Sequence, residues 1–159
     1  MAHKPPPAGW PQISPGLFYR DASAAIDWLC DVFGFEIRLK VEGEPGQIVH
    51  SELVYGEGMI MVNESAKPGE VHPPGREFKR IHTSPLDLDG RVNQSMCMFV
   101  DDVDAHCAHA KARGARIYAE PETHDYGDDY WSDRSYGALD CEGHQWWFMH
   151  RVRDEKKVA

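Results

Sequence analysis

Nine histidines in a chain of 159 residues are the first hint of site chemistry, because imidazole takes up and releases a proton near neutral pH. His50 and Glu52 stand two apart on an alternating stretch, and side chains two apart on a strand share a face. A carboxylate beside an imidazole favours its charged form and tunes it as an acid or base, so this is the candidate catalytic pair. The alternative is a solvated ion pair on an outer face. Arg134, just before a strand, is a third candidate, an anion clamp that would orient a ligand. A salt bridge to Asp133 or Asp140 accounts for it equally well.

The stretch from Thr123 to Tyr136 alternates aromatic and charged residues, and it reads as a lid loop in which Tyr130, Trp131 and Tyr136 offer flat surfaces to a ligand. Cys30, Cys97, Cys107 and Cys141 are widely spaced with no CxxC pair. They imply free thiols in a reducing, cytoplasmic setting, with Cys97 a buried inert thiol. Neither a Gly-rich dinucleotide or phosphate loop nor a GxSxG nucleophile turn occurs. With 26 acidic against 17 basic residues the net charge is -9, which disfavours nucleic acid and anionic membranes as partners. No apolar stretch approaches the roughly 20 residues of a membrane helix.

Strands and helices must position these groups. Residues 1–12 form a proline-rich tail. The pattern predicts a strand over 13–20, a helix capped by Asp21 with Ala22, Ala25, Ile26, Leu29 and Phe33 at helical spacing, and a stop at Gly34. Phe35, Ile37, Leu39 and Val41 then alternate as a half-buried strand, followed by strands over 47–55 and 59–63. After a polar linker at 64–93 the order returns: a strand over 95–101, a helix opened by Asp102 and ended by Gly114, and strands over 115–119, 135–139 and 144–150. Asp21, Ala25, Gly34 and Ile37 recur 80 positions later as Asp101, Ala105, Gly114 and Ile117. The expectation is an α+β fold of two βαβββ units, 13–63 and 94–151, with a charged tail at 152–159.

This doubled unit, with Val100-Asp101-Asp102-Val103-Asp104 opening the second helix and Asp140-Cys141-Glu142-Gly143-His144 before the last strand, resembles the vicinal oxygen chelate superfamily, of the glyoxalase/bleomycin resistance protein/dioxygenase type. The resemblance covers about residues 13–151. It implies curved sheets around a cavity, often completed in a homodimer. Its metal enzymes take His or Gln from the first strand of each unit and Glu from the last. Those positions fall here on Ser14, Met61, Ser95 and Trp147, which are poor ligands for a hard divalent ion. A slip of one residue at the first strands would put Gln94 in place of Ser95 and restore one ligand of the four. No metal or other cofactor is expected.

By strand parity Phe18, Met61, Ser95, Phe99 and Trp147 face the implied cavity, an apolar and aromatic lining suited to an organic ligand. Trp147 stands out, since its indole N–H favours a wet wall over a sealed core. Two functions fit. One is metal-independent binding of a flat organic molecule, as in sequestering a drug or toxin. The other is a lyase, isomerase or hydrolase-like enzyme using His50, Glu52 and Arg134, metal-free or with a metal held by other histidines.

Overall fold

The computed structural model describes residues 4–155; residues 1–3 and 156–159, the ends of the two tails, lie outside the described residues. Contacts divide the chain into two units, parted between Gly90 and Arg91.

The first unit runs β1 (Gly16–Tyr19), α1 (Ala22–Phe33), β2 (Glu36–Glu42), β3 (Ile48–Tyr55) and β4 (Gly58–Glu64). Its sheet has the order β1-β4-β3-β2, with β1 parallel to β4. Asp21 starts the helix by accepting the Ala24 N–H at 2.9 Å, and Gly34 ends it in the left-handed conformation at φ 76°. The apolar stripe Ala25, Ile26, Leu29 and Phe33 is buried, as are Leu17, Tyr19, Leu53 and Val62 on the sheet face beneath it. Where the ladder between β3 and β4 stops, the Ser51 hydroxyl takes over: it donates to the Val62 carbonyl at 2.6 Å and accepts the Val62 N–H at 2.9 Å.

Strand β2 departs from the expected half-buried alternation. It is the edge of the sheet, and a bulge between Ile37 and Leu39 breaks its period. Ile37, Leu39 and Val41 are 40–47% exposed within this structure. The expected linker holds two short 3-10 turns, Glu77–Ile81 and Pro85–Asp87, and most of it belongs to the first unit. Arg20 ties the second turn back through Asp87 at 2.5 Å.

The second unit repeats the order: β5 (Ser95–Phe99), α2 (Val103–Ala112), β6 (Arg116–Asp125), β7 (Ser132–Leu139) and β8 (Gln145–Arg153) in the order β5-β8-β7-β6. Asp102 caps α2 as Asp21 caps α1, accepting the Ala105 N–H at 3.0 Å. The caps are therefore 81 positions apart, while the glycines with positive φ after the helices, Gly34 and Gly114, are 80 apart. The one-residue difference lies within the helices, and the first strands keep their register. Gly16 pairs with Met61 as Cys97 pairs with Trp147, so these positions correspond between units.

Tyr136, Trp146 and Phe148 fill the core of this unit, with Val103, Cys107 and Ala110 from α2. Asp140 fixes the turn into β8. Its Oδ1 accepts N–H groups of Glu142, Gly143 and His144 at 2.9–3.1 Å, and its Oδ2 accepts the Trp146 indole N–H at 3.1 Å. Among the described residues, no helix is long and apolar enough to cross a membrane.

Candidate functional site

Each sheet has one face against its helix and one turned away, and the second face carries the chemistry. In the first unit the register sets Met61 beside Gly16, Asn63 beside Phe18, Leu39 beside Glu52 and Val41 beside His50 on that open face. His50 Nε2 lies 2.9 Å from Glu52 Oε1, and the guanidinium of Arg38 donates to Glu52 Oε2. Trp10 stacks over Arg38 at 5.8 Å.

Glu52 is only 3% exposed. The hydrogen bond from His50 holds its carboxyl below the usual carboxylate value, Arg38 adds to this, and burial opposes both. An ionised carboxylate only accepts, so Nε2 of His50 is the donor to it, and in the neutral ring Nδ1 carries the lone pair. This is an imidazole oriented by a carboxylate. Its side chain is 36% exposed, open to a proton donor.

The open face of the second unit is aromatic. Cys97, Phe99, Trp147 and Met149 stand side by side through the β5·β8 register, and Gly137 faces Trp147 across β7. Tyr118, at a bulge in β6, lies over Gly137 and meets Trp147 edge-on at 5.4 Å. Its hydroxyl donates to the Trp146 carbonyl at 3.2 Å. A Cβ on Gly137 would fall 2.4 Å from the Tyr118 ring, so the missing side chain is what admits the tyrosine. Arg151 sits over Phe99 at 5.9 Å and over Trp131 at 5.4 Å, anchored to Asp133 at 2.5 Å.

The expected site residues sort accordingly. His50 and Glu52 come together. Phe18 and Met61 share their face, while Ser95, Phe99 and Trp147 share the corresponding face of the second unit. Tyr130 and Trp131 are on the turn beside that face, in edge contact at 6.2 Å. Tyr136 leaves the ligand set: it is 0% exposed, stacks on Phe148 and hydrogen-bonds His106 at 2.6 Å on the helix side. Arg134 also turns to the helix side, where it is paired with Asp104 of α2 at 2.6 Å rather than with Asp133 or Asp140. The lid loop is mostly hairpin, since β6 runs to Asp125 and β7 starts at Ser132. Arg153 pins the remaining turn through Asp125, Gly127 and Tyr130. Cys97 is exposed, not buried.

Tyr118 and Arg38 were not legible as site residues, because bulges break strand parity there, whereas Arg151 continues the 147, 149 series and was within reach of the pattern.

The metal positions implied by the resemblance do not fit a metal. Ser14 Oγ is buried without a partner, but it offers a neutral hydroxyl, Met61 a thioether and Trp147 no lone pair for a cation. Among the described residues no group of three or more His, Cys, Asp or Glu is placed to hold an ion.

The Glyoxalase/Bleomycin resistance protein/Dioxygenase superfamily model matches residues 12–148, and the chain belongs to this superfamily. It is similar to TioX from Micromonospora sp. ML1, with 31% identity, a TM-score of 0.63, and 87% of this chain and 98% of that one covered. A Mycobacterium tuberculosis protein described as uncharacterized is 28% identical over 144 residues, 91% of this chain and 76% of that protein. The lactoylglutathione lyase of Agrobacterium tumefaciens, at 23% identity and TM-score 0.56 over 92% of this chain and 95% of that one, shares the fold.

Proposed function

We propose that the chain binds a flat organic molecule without a metal, in the manner of a drug- or toxin-sequestering protein. The observation that carries this is the aromatic platform of the second unit. Phe99 is 56% exposed, Trp147 presents its ring beside Tyr118, and Arg151 adds a positive charge held between two rings. Rings presented on a rigid sheet lose little conformational freedom when they stack on a ligand. Exposed Ile37, Leu39, Val41 and Val49 on the first unit support a homodimer in which a second copy covers them. Free cysteines suit a cytoplasmic setting.

The test is tryptophan quenching and thermal shift across a panel of polycyclic aromatics, with mass spectrometry of the compound before and after incubation. Trp147→Ala should weaken binding, and a change at Trp10, which stacks on Arg38 in the first unit, should not. Equal effects at both tryptophans would refute the platform. Light scattering that shows only an 18.0 kDa particle across a concentration series would refute the dimer.

A second reading rests on the His50–Glu52 contact. With Glu52 holding Nε2–H, Nδ1 is positioned to remove a proton from a substrate and return it, which is the chemistry of a metal-free isomerase or lyase. A chemically altered compound in the mass spectrum, lost in His50→Gln, favours this reading. Unchanged turnover in His50→Gln and Glu52→Gln removes it.

A further inference from the structure

A cavity belongs wholly to the first unit, at the end of its sheet, where the turn between β2 and β3 approaches the segment following β4. It has a volume of about 530 Å³, within the range of about 300 to 1,000 Å³ typical of small-molecule pockets. Its wall includes Phe18, Ile48, Lys67, His72, Lys79 and His82. We propose that this cleft binds a small organic anion, an apolar body bearing one carboxylate or phosphate group.

Three features support the assignment. His72 is the most direct: its side chain is 8% exposed, and its Nε2 is buried with no hydrogen-bond partner. Native structures seldom leave such an atom unsatisfied, and a ligand oxygen would satisfy it. Next, among the described residues neither the Lys67 nor the Lys79 ammonium makes an ion pair, whereas two of the carboxylates in the wall are already engaged. Glu70 accepts the Lys67 N–H at 3.0 Å and lies 3.6 Å from His72 Nδ1, and Glu64 accepts the Ile48 N–H at 3.4 Å.

Burial raises the Glu64 carboxyl above its ordinary value, against the Ile48 N–H and Lys67, which lower it. Glu44, the third carboxylate, stands on the exposed turn. The wall thus carries two ammonium groups without an ion pair among the described residues, Lys67 and Lys79, alongside three carboxylates, and the buried His72 Nε2 is the group left to meet a ligand oxygen. Finally, Phe18 stacks on His82 at 4.0 Å and 26°, and Phe78 meets His82 edge-on at 5.9 Å. Burial, with help from Lys79 and His72, lowers the His82 value and favours the neutral ring, so this side of the cleft is a flat surface for an apolar body.

The experiment is a titration of the ¹⁵N-labelled full chain with benzoate, phenyl phosphate, benzamide and inorganic phosphate. Benzoate or phenyl phosphate should move the amides of Ser65, Ala66 and Lys67 and the imidazole resonances of His72 and His82, in a saturable way. The tighter of the two identifies the head group. Benzamide, equal in shape but neutral, should bind about ten-fold more weakly, and Lys67→Ala with Lys79→Ala should weaken the anion by about as much. Both lysines are exposed and the double variant should still fold.

Equal binding of benzamide and benzoate would overturn the charge assignment. Inorganic phosphate matching phenyl phosphate would overturn the apolar body. Shifts confined to residues around Trp147 would overturn the site. Because Trp147→Ala leaves the cleft intact, failure here and failure of the aromatic platform are separable.

Discussion

Asp140 gives the sharpest test of how the aromatic strand is held. Its carboxylate, 6% exposed, accepts three backbone N–H groups and the indole N–H of Trp146, itself 1% exposed. Asp140→Asn keeps an oxygen for the three backbone donors but sets an amide N–H against the indole N–H. One buried donor is orphaned, for about 1–3 kcal/mol. Asp140→Ala leaves the Gly143 N–H its bond to the Asp140 carbonyl at 3.2 Å and strips the carboxylate from the other three donors; because Cys141 in the same turn is exposed, water recovers part of the loss, and about 3–5 kcal/mol remains. Removing the indole N–H by Trp146→Phe should then render Asp140→Asn nearly harmless, a coupling of about 1 kcal/mol or more. Urea unfolding followed by far-ultraviolet circular dichroism measures the parent and the four variants without relying on tryptophan emission. Equal cost for the Asn and Ala variants, or no relief from Trp146→Phe, would refute the account.

Gly137→Ala should displace the Tyr118 ring outward, forfeiting its hydrogen bond and its contact with Trp147. After the gain from replacing a strand glycine, the net cost is about 1 kcal/mol by urea unfolding, and quenching at Trp147 by an aromatic ligand should weaken. A variant that binds and unfolds like the parent would count against the platform geometry. Glu52 sets an acid limit on stability: its folded value lies below the 4.5 of a free carboxyl, so its contribution is complete above that value and drains away as pH falls through the folded one. His50→Ala, removing the main cause, should flatten the stability profile below pH 4.5 relative to the parent. Arg134→Gln should leave ligand binding unchanged, since its partner Asp104 is on the helix side; a loss of binding with the fold intact would return Arg134 to the site.

Order and type of the elements could be read from the sequence because they rest on local rules: Asp21 and Asp102 as caps, Gly34 as a stop, and the alternation of Leu17, Tyr19 and Val62 against Phe18 and Met61. Pairing of His50 with Glu52 followed from the same parity. What escaped depended on neighbours in space. Arg38 joins Glu52 only because β2 bulges, Tyr118 reaches Trp147 only because Gly137 is bare, and Tyr136 is buried because it alternates with Gly137 in β7 and stacks on Phe148 beside the helix. His72 gave no periodic signal at all, since no regular element carries it.

The two units count 81 residues from cap to cap but 80 from glycine to glycine, with helices of 12 and 10 residues. A helix absorbs a change in chain length at its last turn: one residue swings the exit by about 100° and a few loop angles take up the difference. A strand takes up an extra residue only by bulging, as β2 and β6 do; without a bulge each added residue turns every later side chain over. A single residue inserted between Gln145 and Trp146 would carry Trp147 under α2 and put Trp146 out on the open face, exchanging an indole whose N–H is held by Asp140 for one with no carboxylate waiting. Lengthening or shortening this protein, by design or by descent, is therefore confined to the ends of its helices, its turns and its bulges, and the faces of its sheets stay as they are elsewhere.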